Sequence, residues 1–241
     1  MRKNKKYAAC CFSGGKDSTL ALWYAIKSCY DVRYLINFAS LKFRRSSFHG
    51  VPCELINLQA KLIGIPLLQY FVESDNDSYE KTFNEMLKKL KSLKIKYFIC
   101  GDIYLEEHPN WIKKQCKKYN LKLVEPLWKK KPEDILEEFI ESGFKAKVVS
   151  VNAKVLPKNF VGEDLNYEFI KKLQKYRVCL CGENGEYHTF VYDGPIFTHK
   201  IEILETEIVY KKTFWSAWFL NIKKYALKSK NYDERKNIIH N

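Results

Sequence analysis

Six consecutive residues, Ser13-Gly14-Gly15-Lys16-Asp17-Ser18, carry the groups needed to hold a polyanion. The two glycines let backbone N–H groups converge, and a helix starting at the end of the string adds partial positive charge there. Ser13 and Ser18 supply hydroxyl donors, and Lys16 supplies a full charge. Asp17 is the exception, because a carboxylate beside phosphates is repulsive unless a divalent cation lies between them. A nucleotide carrying magnesium fits all six positions, with Asp17 as the Mg2+ ligand. An apolar run, Tyr7–Phe12, precedes the string and a helical pattern, Asp17–Lys27, follows it, as such a cradle requires.

The string is not a Walker A loop, which reads G-x-x-x-x-G-K-[ST]. Cys10 occupies the first glycine position, and Asp17 stands where Ser or Thr should follow the lysine. Transfer of the γ-phosphate is therefore not the expected chemistry. The string resembles instead the PP-loop of N-type ATP pyrophosphatases, which split ATP into AMP and pyrophosphate.

A second dense polar segment is Cys181-Gly182-Glu183-Asn184-Gly185-Glu186-Tyr187-His188-Thr189-Phe190-Val191, followed by Asp193-Gly194-Pro195. Paired carboxylates can hold an amine or a metal, or act as a general base. His188 can exchange a proton near neutrality, and the glycines permit tight turns. A hairpin loop with solvated charges is the plainer alternative.

Together the two strings resemble the diphthine–ammonia ligase family, whose members carry SGGKDS near the N-terminus and E-G-G-E-x-E-[TS]-x-V in a C-terminal domain. Ser13 to Ser18 match the first motif throughout, and Glu183, Gly185, Glu186, Thr189 and Val191 match the second. Gly101-Asp102-Ile103, Glu125-Pro126-Leu127-Trp128 and Asp193-Gly194-Pro195-Ile196-Phe197 are similar supporting segments. Asn184 replaces a glycine of the motif, and His188 replaces a glutamate, at a position where the family is expected to contact its acceptor substrate.

The resemblance implies ATP-dependent amide formation. A carboxylate attacks the α-phosphorus of Mg2+-bound ATP, pyrophosphate leaves, and ammonia displaces AMP from the acyl-adenylate. It implies ATP contacts at Ser13, Gly14, Gly15, Lys16, Asp17, Ser18, Gly101 and Asp102. Catalytic roles fall to Lys16, Asp17, Glu183, Glu186 and His188, and substrate contacts to His49, Gly185 and Thr189. Glu183 and Glu186 are expected to hold ammonium, with Glu186 or His188 taking its proton. The implied acceptor is diphthine, the modified histidine of translation elongation factor 2, and the product is diphthamide.

These groups need a scaffold. Strand-like runs at Tyr7–Phe12, Val32–Phe38, Leu67–Val72, Tyr97–Cys100 and Lys122–Val124 alternate with amphipathic stretches at Ser18–Lys27, Pro52–Ile63, Tyr79–Leu93 and Asn110–Tyr119. That rhythm predicts an α/β, Rossmann-like parallel sheet with helices on both faces, its ligands at the carboxyl ends of the strands. The polar stretch Leu41–Phe48, with Lys42, Arg44 and Arg45, reads either as a cationic lid over triphosphate or as a solvated connection.

From Lys129 the pattern changes. A helix at Glu133–Ser142, a strand at Ala146–Val155, a helix at Asp164–Tyr176 and two strands at Ile201–Tyr210 and Thr213–Ile222 predict a smaller α+β domain. The expected organisation is residues 1–130 for ATP binding, 131–222 for substrate, and a basic tail over 223–241. His108, His199 and His240 have no motif context and read as structural or solvated.

The chain has 241 residues, enough for a sizeable core, and a net charge of +14. Of its 42 basic residues 36 are lysine, spread along amphipathic helices, which reads as a solvated face more than as a nucleic-acid surface. The eight cysteines include no C-x-x-C pair, and Cys179-x-Cys181 reads as two core thiols. No apolar run approaches the ~20 residues that span a membrane. The basic N-terminus leads straight into the phosphate loop, so a cleaved signal is not expected and the location should be cytoplasmic. Three rival readings stay open: amidation of another, small-molecule carboxylate, adenylation of a tRNA base, and nucleotide sensing without turnover.

Overall fold

The computed structural model describes residues 5–73, 75–104, 107–212 and 216–230. It divides into two compact units that are not contiguous in sequence. The first comprises the residues up to Ser13, Asp17–Ser47 and Pro52–Lys130; Gly14–Lys16 and Phe48–Val51 cluster with the residues from Lys131 on.

The first unit is built on a five-stranded sheet in the order β3-β2-β1-β4-β5: β1 Lys6–Cys11, β2 Tyr30–Ser40, β3 Leu67–Val72, β4 Tyr97–Ile99 and β5 Lys122–Val124. All four pairings are parallel. The connecting helices are α1 Lys16–Lys27, α2 Cys53–Ile63, α3 Asn76–Ser92 and α4 Glu107–Lys118. Right-handed crossovers place α1 and α2 on one face of such a sheet and α3 and α4 on the other. Ala9, Ile36 and Phe98 accordingly pack with Phe83, Met86 and Leu90 of α3 and Ile112 and Cys116 of α4.

Local signals set the element ends. The Asp75 carboxylate caps α3 by accepting from the Ser78 N–H at 2.6 Å, and α2 stops at Gly64, which adopts a left-handed φ of 81°. The strand order reverses between β1 and β4. That switch point is where open α/β sheets bind ligands, and here it is flanked by Ser13 after β1 and Gly101 after β4.

The second unit holds an antiparallel sheet in the order β7-β6-β9-β8, with β6 Lys145–Asn152, β7 Tyr187–Asp193, β8 His199–Lys212 and β9 Ser216–Ser229. Helices α5 Pro132–Glu141 and α6 Tyr167–Leu173 complete it; α5 has proline in its first turn, and the Asn166 side chain caps α6 through the Phe169 N–H. Phe160, Phe169 and Tyr187 pack edge to face in its core.

Two expectations need correcting. Lys223–Ser229 is not tail but the second half of β9, in which Lys224–Ser229 pair with β8 from Glu205 to His199. Tyr187–Val191, weighed as part of a loop, is the strand β7. His240 and Thr213 lie outside the described residues.

Candidate functional site

In the first unit, the serines of the phosphate loop close on each other. The Ser13 N–H donates to Ser18 Oγ at 3.2 Å, and the two hydroxyl oxygens are 3.1 Å apart. Below them, the buried Asn37 donates from Nδ2 to the Phe12 carbonyl at 3.0 Å and to Ser46 Oγ at 3.2 Å, and Ser46 donates to the Ser13 carbonyl at 3.4 Å. Sequence reasoning passed over Asn37 and Ser46. The available signal was an asparagine inside the apolar run Tyr34–Ala39 of a parallel strand, since buried polar groups in such strands have partners.

Gly101 lies against the start of α1. A Cβ there would come within 2.8 Å of the Asp17 carbonyl oxygen and 3.1 Å of the Ser18 nitrogen, so only glycine permits this approach. The Asp102 carboxylate pairs with His108 at 2.6 Å, a structural place of the kind expected for His108. Glu125, just beyond β5, is raised in pKa by burial and then by Asp102. The cationic stretch 41–48 is tied down by bridges from Ala39 to Ser46 and from Arg45 to Pro52, with the Arg44 guanidinium 3.8 Å from the Phe71 ring centre.

The second unit assembles the remaining loop residues with the C-terminal motif. Gly14 has a φ of 81°, and its carbonyl accepts from the Val191 N–H at 2.9 Å. The Lys16 N–H donates to Thr189 Oγ1 at 3.0 Å, while the Lys16 ammonium donates to the Cys181 carbonyl and sits 5.1 Å from the Tyr187 ring centre. Lys16 is only 3% exposed. The His49 ring fills the space over Gly15, where a Cβ would meet Cε1 at 2.4 Å. His49 Nδ1 lies 2.9 Å from the Thr189 carbonyl oxygen; as a carbonyl only accepts, Nδ1 carries the proton and Nε2 keeps its lone pair.

The His49 and His188 rings lie 4.8 Å apart. Burial is the largest cause lowering both; it takes His49 to about 4, with Lys16 adding to the effect, and takes His188 well down, with His49 and Lys16 adding. Both imidazoles are therefore neutral at pH 7.

Glu186 is hydrogen-bonded on both carboxylate oxygens. Its buried carboxylate accepts from the Cys179 N–H at 2.8 Å and the Asn184 side chain at 3.0 Å on one oxygen, and from the Asn184 N–H at 3.0 Å on the other. Both oxygens are engaged in shaping the loop that presents the Cys181 carbonyl, which gives Glu186 a bracing role. Glu186→Gln should turn an amide NH2 toward backbone donors and cost about 1–3 kcal/mol. Urea unfolding would read that loss, and an unchanged midpoint would remove the bracing role. Glu183 is half-buried beside the tight turn at Gly182, and Gly185 has a φ of 81°. Among the described residues, no three His, Cys, Asp or Glu side chains are placed to hold a metal ion by themselves.

Family comparison agrees with this division. The diphthamide synthase N-terminal domain model matches residues 6–123, and the diphthamide synthase C-terminal domain model matches residues 131–227. The chain is 28% identical to the diphthine–ammonia ligase of Homo sapiens, over 83% of this chain and 84% of that protein. It is 27% identical to the Mus musculus diphthine–ammonia ligase, over 96% and 98%. A solved chain described as a predicted subunit of a tRNA methyltransferase from Methanocaldococcus jannaschii aligns with 70% of this chain and 87% of its own, at 17% identity and a TM-score of 0.38. With both domain models matched in order along the chain, the protein belongs to the diphthamide synthase family.

Proposed function

We propose that this protein is an ATP-dependent carboxylate–ammonia ligase that converts diphthine on translation elongation factor 2 to diphthamide, with release of AMP and pyrophosphate. The observation that carries this reading is the seat of Lys16: its backbone on Thr189, its ammonium on Cys181, and two neutral imidazoles beside it.

Substrate carboxylate attacks the α-phosphorus of ATP, and the charge developing on the phosphates falls to Lys16, the loop N–H groups and the N-terminus of α1. Ser13 and Ser18 offer hydroxyls to the same anion. Asp17 would hold a magnesium ion, since Mg2+ is bound through one or two protein carboxylates together with substrate. When bound, that ion would neutralise charge on the departing pyrophosphate.

Ammonia then attacks the carbonyl carbon of the acyl-adenylate, the bond to AMP breaks, and the departing AMP phosphate takes up the proton that the nitrogen loses. A site of neutral imidazoles next to a lysine ammonium disfavours a second cation, so His49 and His188 receive ammonia as a neutral molecule. Gly185 and Thr189 belong to the acceptor side of this site, with Glu183 the remaining carboxylate of the motif. A cytoplasmic location follows from the proposed acceptor; no helix among the described residues is long and apolar enough to cross a membrane.

The test is incubation with ATP, Mg2+, ammonium and diphthine-bearing elongation factor 2. AMP, pyrophosphate and the amide mass on the factor are expected. Pyrophosphate without any change in the factor would remove diphthine as the acceptor, and absence of pyrophosphate would remove the ligase reading altogether.

A further inference from the structure

The carboxyl end of the parallel sheet brings together two thiols far apart in sequence. Cys11 closes β1 and Cys100 follows β4. Their register pairs Ala9 with Phe98 and Cys10 with Ile99, so the next step along both strands sets Cys11 beside Cys100. Strand alternation puts Ala9, Cys11, Phe98 and Cys100 on one face; Ala9, Phe98 and Cys100 belong to the buried cluster packed on α3 and α4, and Cys11 packs against it. Neighbouring strands run about 4.8 Å apart. That spacing is inside the roughly 4.4–6.8 Å between Cα atoms that a disulfide spans.

The two thiols already interact. A hydrogen bond from Cys100 makes the Cys11 thiol more acidic than usual, whereas burial makes Cys100 less so. Both are free cysteines; Cys11 is half-buried and Cys100 only 2% exposed, so a reagent from solvent meets Cys11 first. This is the arrangement of an attacking and a resolving thiol.

We propose that Cys11 and Cys100 are a peroxide-responsive pair, and that joining them weakens nucleotide binding at the adjoining loops. The Cys11 thiolate attacks one oxygen of hydrogen peroxide, the O–O bond breaks, and Cys11 sulfenic acid forms with loss of hydroxide, which takes up the proton released by Cys11 to give water. The Cys100 sulfur then attacks Cys11 Sγ, the S–O bond breaks, and a second water leaves with the Cys100 proton. Two thiols lose two electrons in total, and one peroxide is reduced to two waters.

The effect on nucleotide rests on the ATP reading above. Cys11 lies two residues before Ser13, and Cys100 immediately precedes Gly101, which rests on Asp17 and Ser18 with no room even for a Cβ. Cβ atoms in a disulfide are about 3.8 Å apart. Closing to that separation draws the two strand ends together where Gly101 has no slack. Such a bond is strained, hence readily reversed by thiols.

The experiment treats the full-length protein with one equivalent of hydrogen peroxide, alkylates it, and maps linked peptides by mass spectrometry, with ATP affinity measured before and after. A Cys11–Cys100 linkage is expected, with at least a tenfold loss of ATP affinity that dithiothreitol restores. Cys11→Ser and Cys100→Ala should each keep their ATP affinity in peroxide. Oxidation confined to the exposed Cys29, or an equal loss of affinity in both variants, would overturn the proposal. The linkage is read by mass whether or not ATP binds, so failure of the ATP reading is seen separately.

Discussion

Replacing Lys16 with alanine should reduce pyrophosphate release by about two to three orders of magnitude, the usual loss when one preorganised donor to a developing oxyanion is removed. The expectation is large because Lys16 is not a mobile surface charge. It is buried, its backbone is fixed by Thr189, and its ammonium is directed by the Cys181 carbonyl over the Tyr187 ring. A preorganised charge of this kind needs no rearrangement when the α-phosphorus is attacked. Alanine also withdraws a donor from a buried carbonyl and leaves space, for a stability loss of about 1–3 kcal/mol. Lys16→Met separates the two effects by keeping most of the stem volume. Methionine should recover part of the urea midpoint and none of the turnover. If Lys16→Met releases pyrophosphate at the parental rate, the loop does not do the chemistry assigned to it.

Acid should destabilise the protein through its paired imidazoles. His49 titrates near 4 when folded against 6.5 ordinarily, and His188 is displaced the same way. Between pH 6.5 and 4 the unfolded chain therefore binds more protons than the folded one. Stability is full above 6.5, declines as the pH falls, and levels off for His49 near 4. At 1.36 kcal/mol for each unit of displacement, His49 alone accounts for roughly 3 kcal/mol at full extent. His49→Asn offers an amide N–H toward the Thr189 carbonyl but does not titrate. Urea unfolding at pH 7 and pH 5 should show a smaller acid loss in His49→Asn than in the parent, with carboxylate contributions common to both. Equal losses would mean that His49 is not displaced.

Much of the first unit was legible because physics leaves few choices. Runs such as Tyr7–Phe12 are apolar on successive residues, as strands buried on both faces are, and helical stretches between such runs imply parallel crossovers. The string from Ser13 to Ser18, set between a strand and a helix, reads as an anion cradle, and it lies at the end of β1 beside the switch point of the sheet. The second unit hid its strands. Tyr187–Asp193 lies in a motif whose charges and glycines read as a loop, although Tyr187, Thr189 and Val191 alternate toward the core. Lys223–Ser229 forms a two-stranded ribbon with β8, exposed over most of its length, so no apolar alternation marks it. The fate of Glu186 was illegible for another reason: a carboxylate that braces a turn and one that takes a proton are the same letter. Cys11 and Cys100 could be paired only once the register of β1 and β4 was known.

The seat of Lys16 has a temporal meaning as well. Its partners Thr189 and Cys181 lie 173 and 165 positions further along the chain. A ribosome delivers residues in order, and N-terminal units fold first as they emerge. The phosphate loop is thus made early and finished late. The parallel sheet can close while most of the second unit is still untranslated, but the lysine gains its fixed geometry only after β7 has been synthesised. On the proposed function, a nascent chain would lack the fixed lysine until β7 has been made.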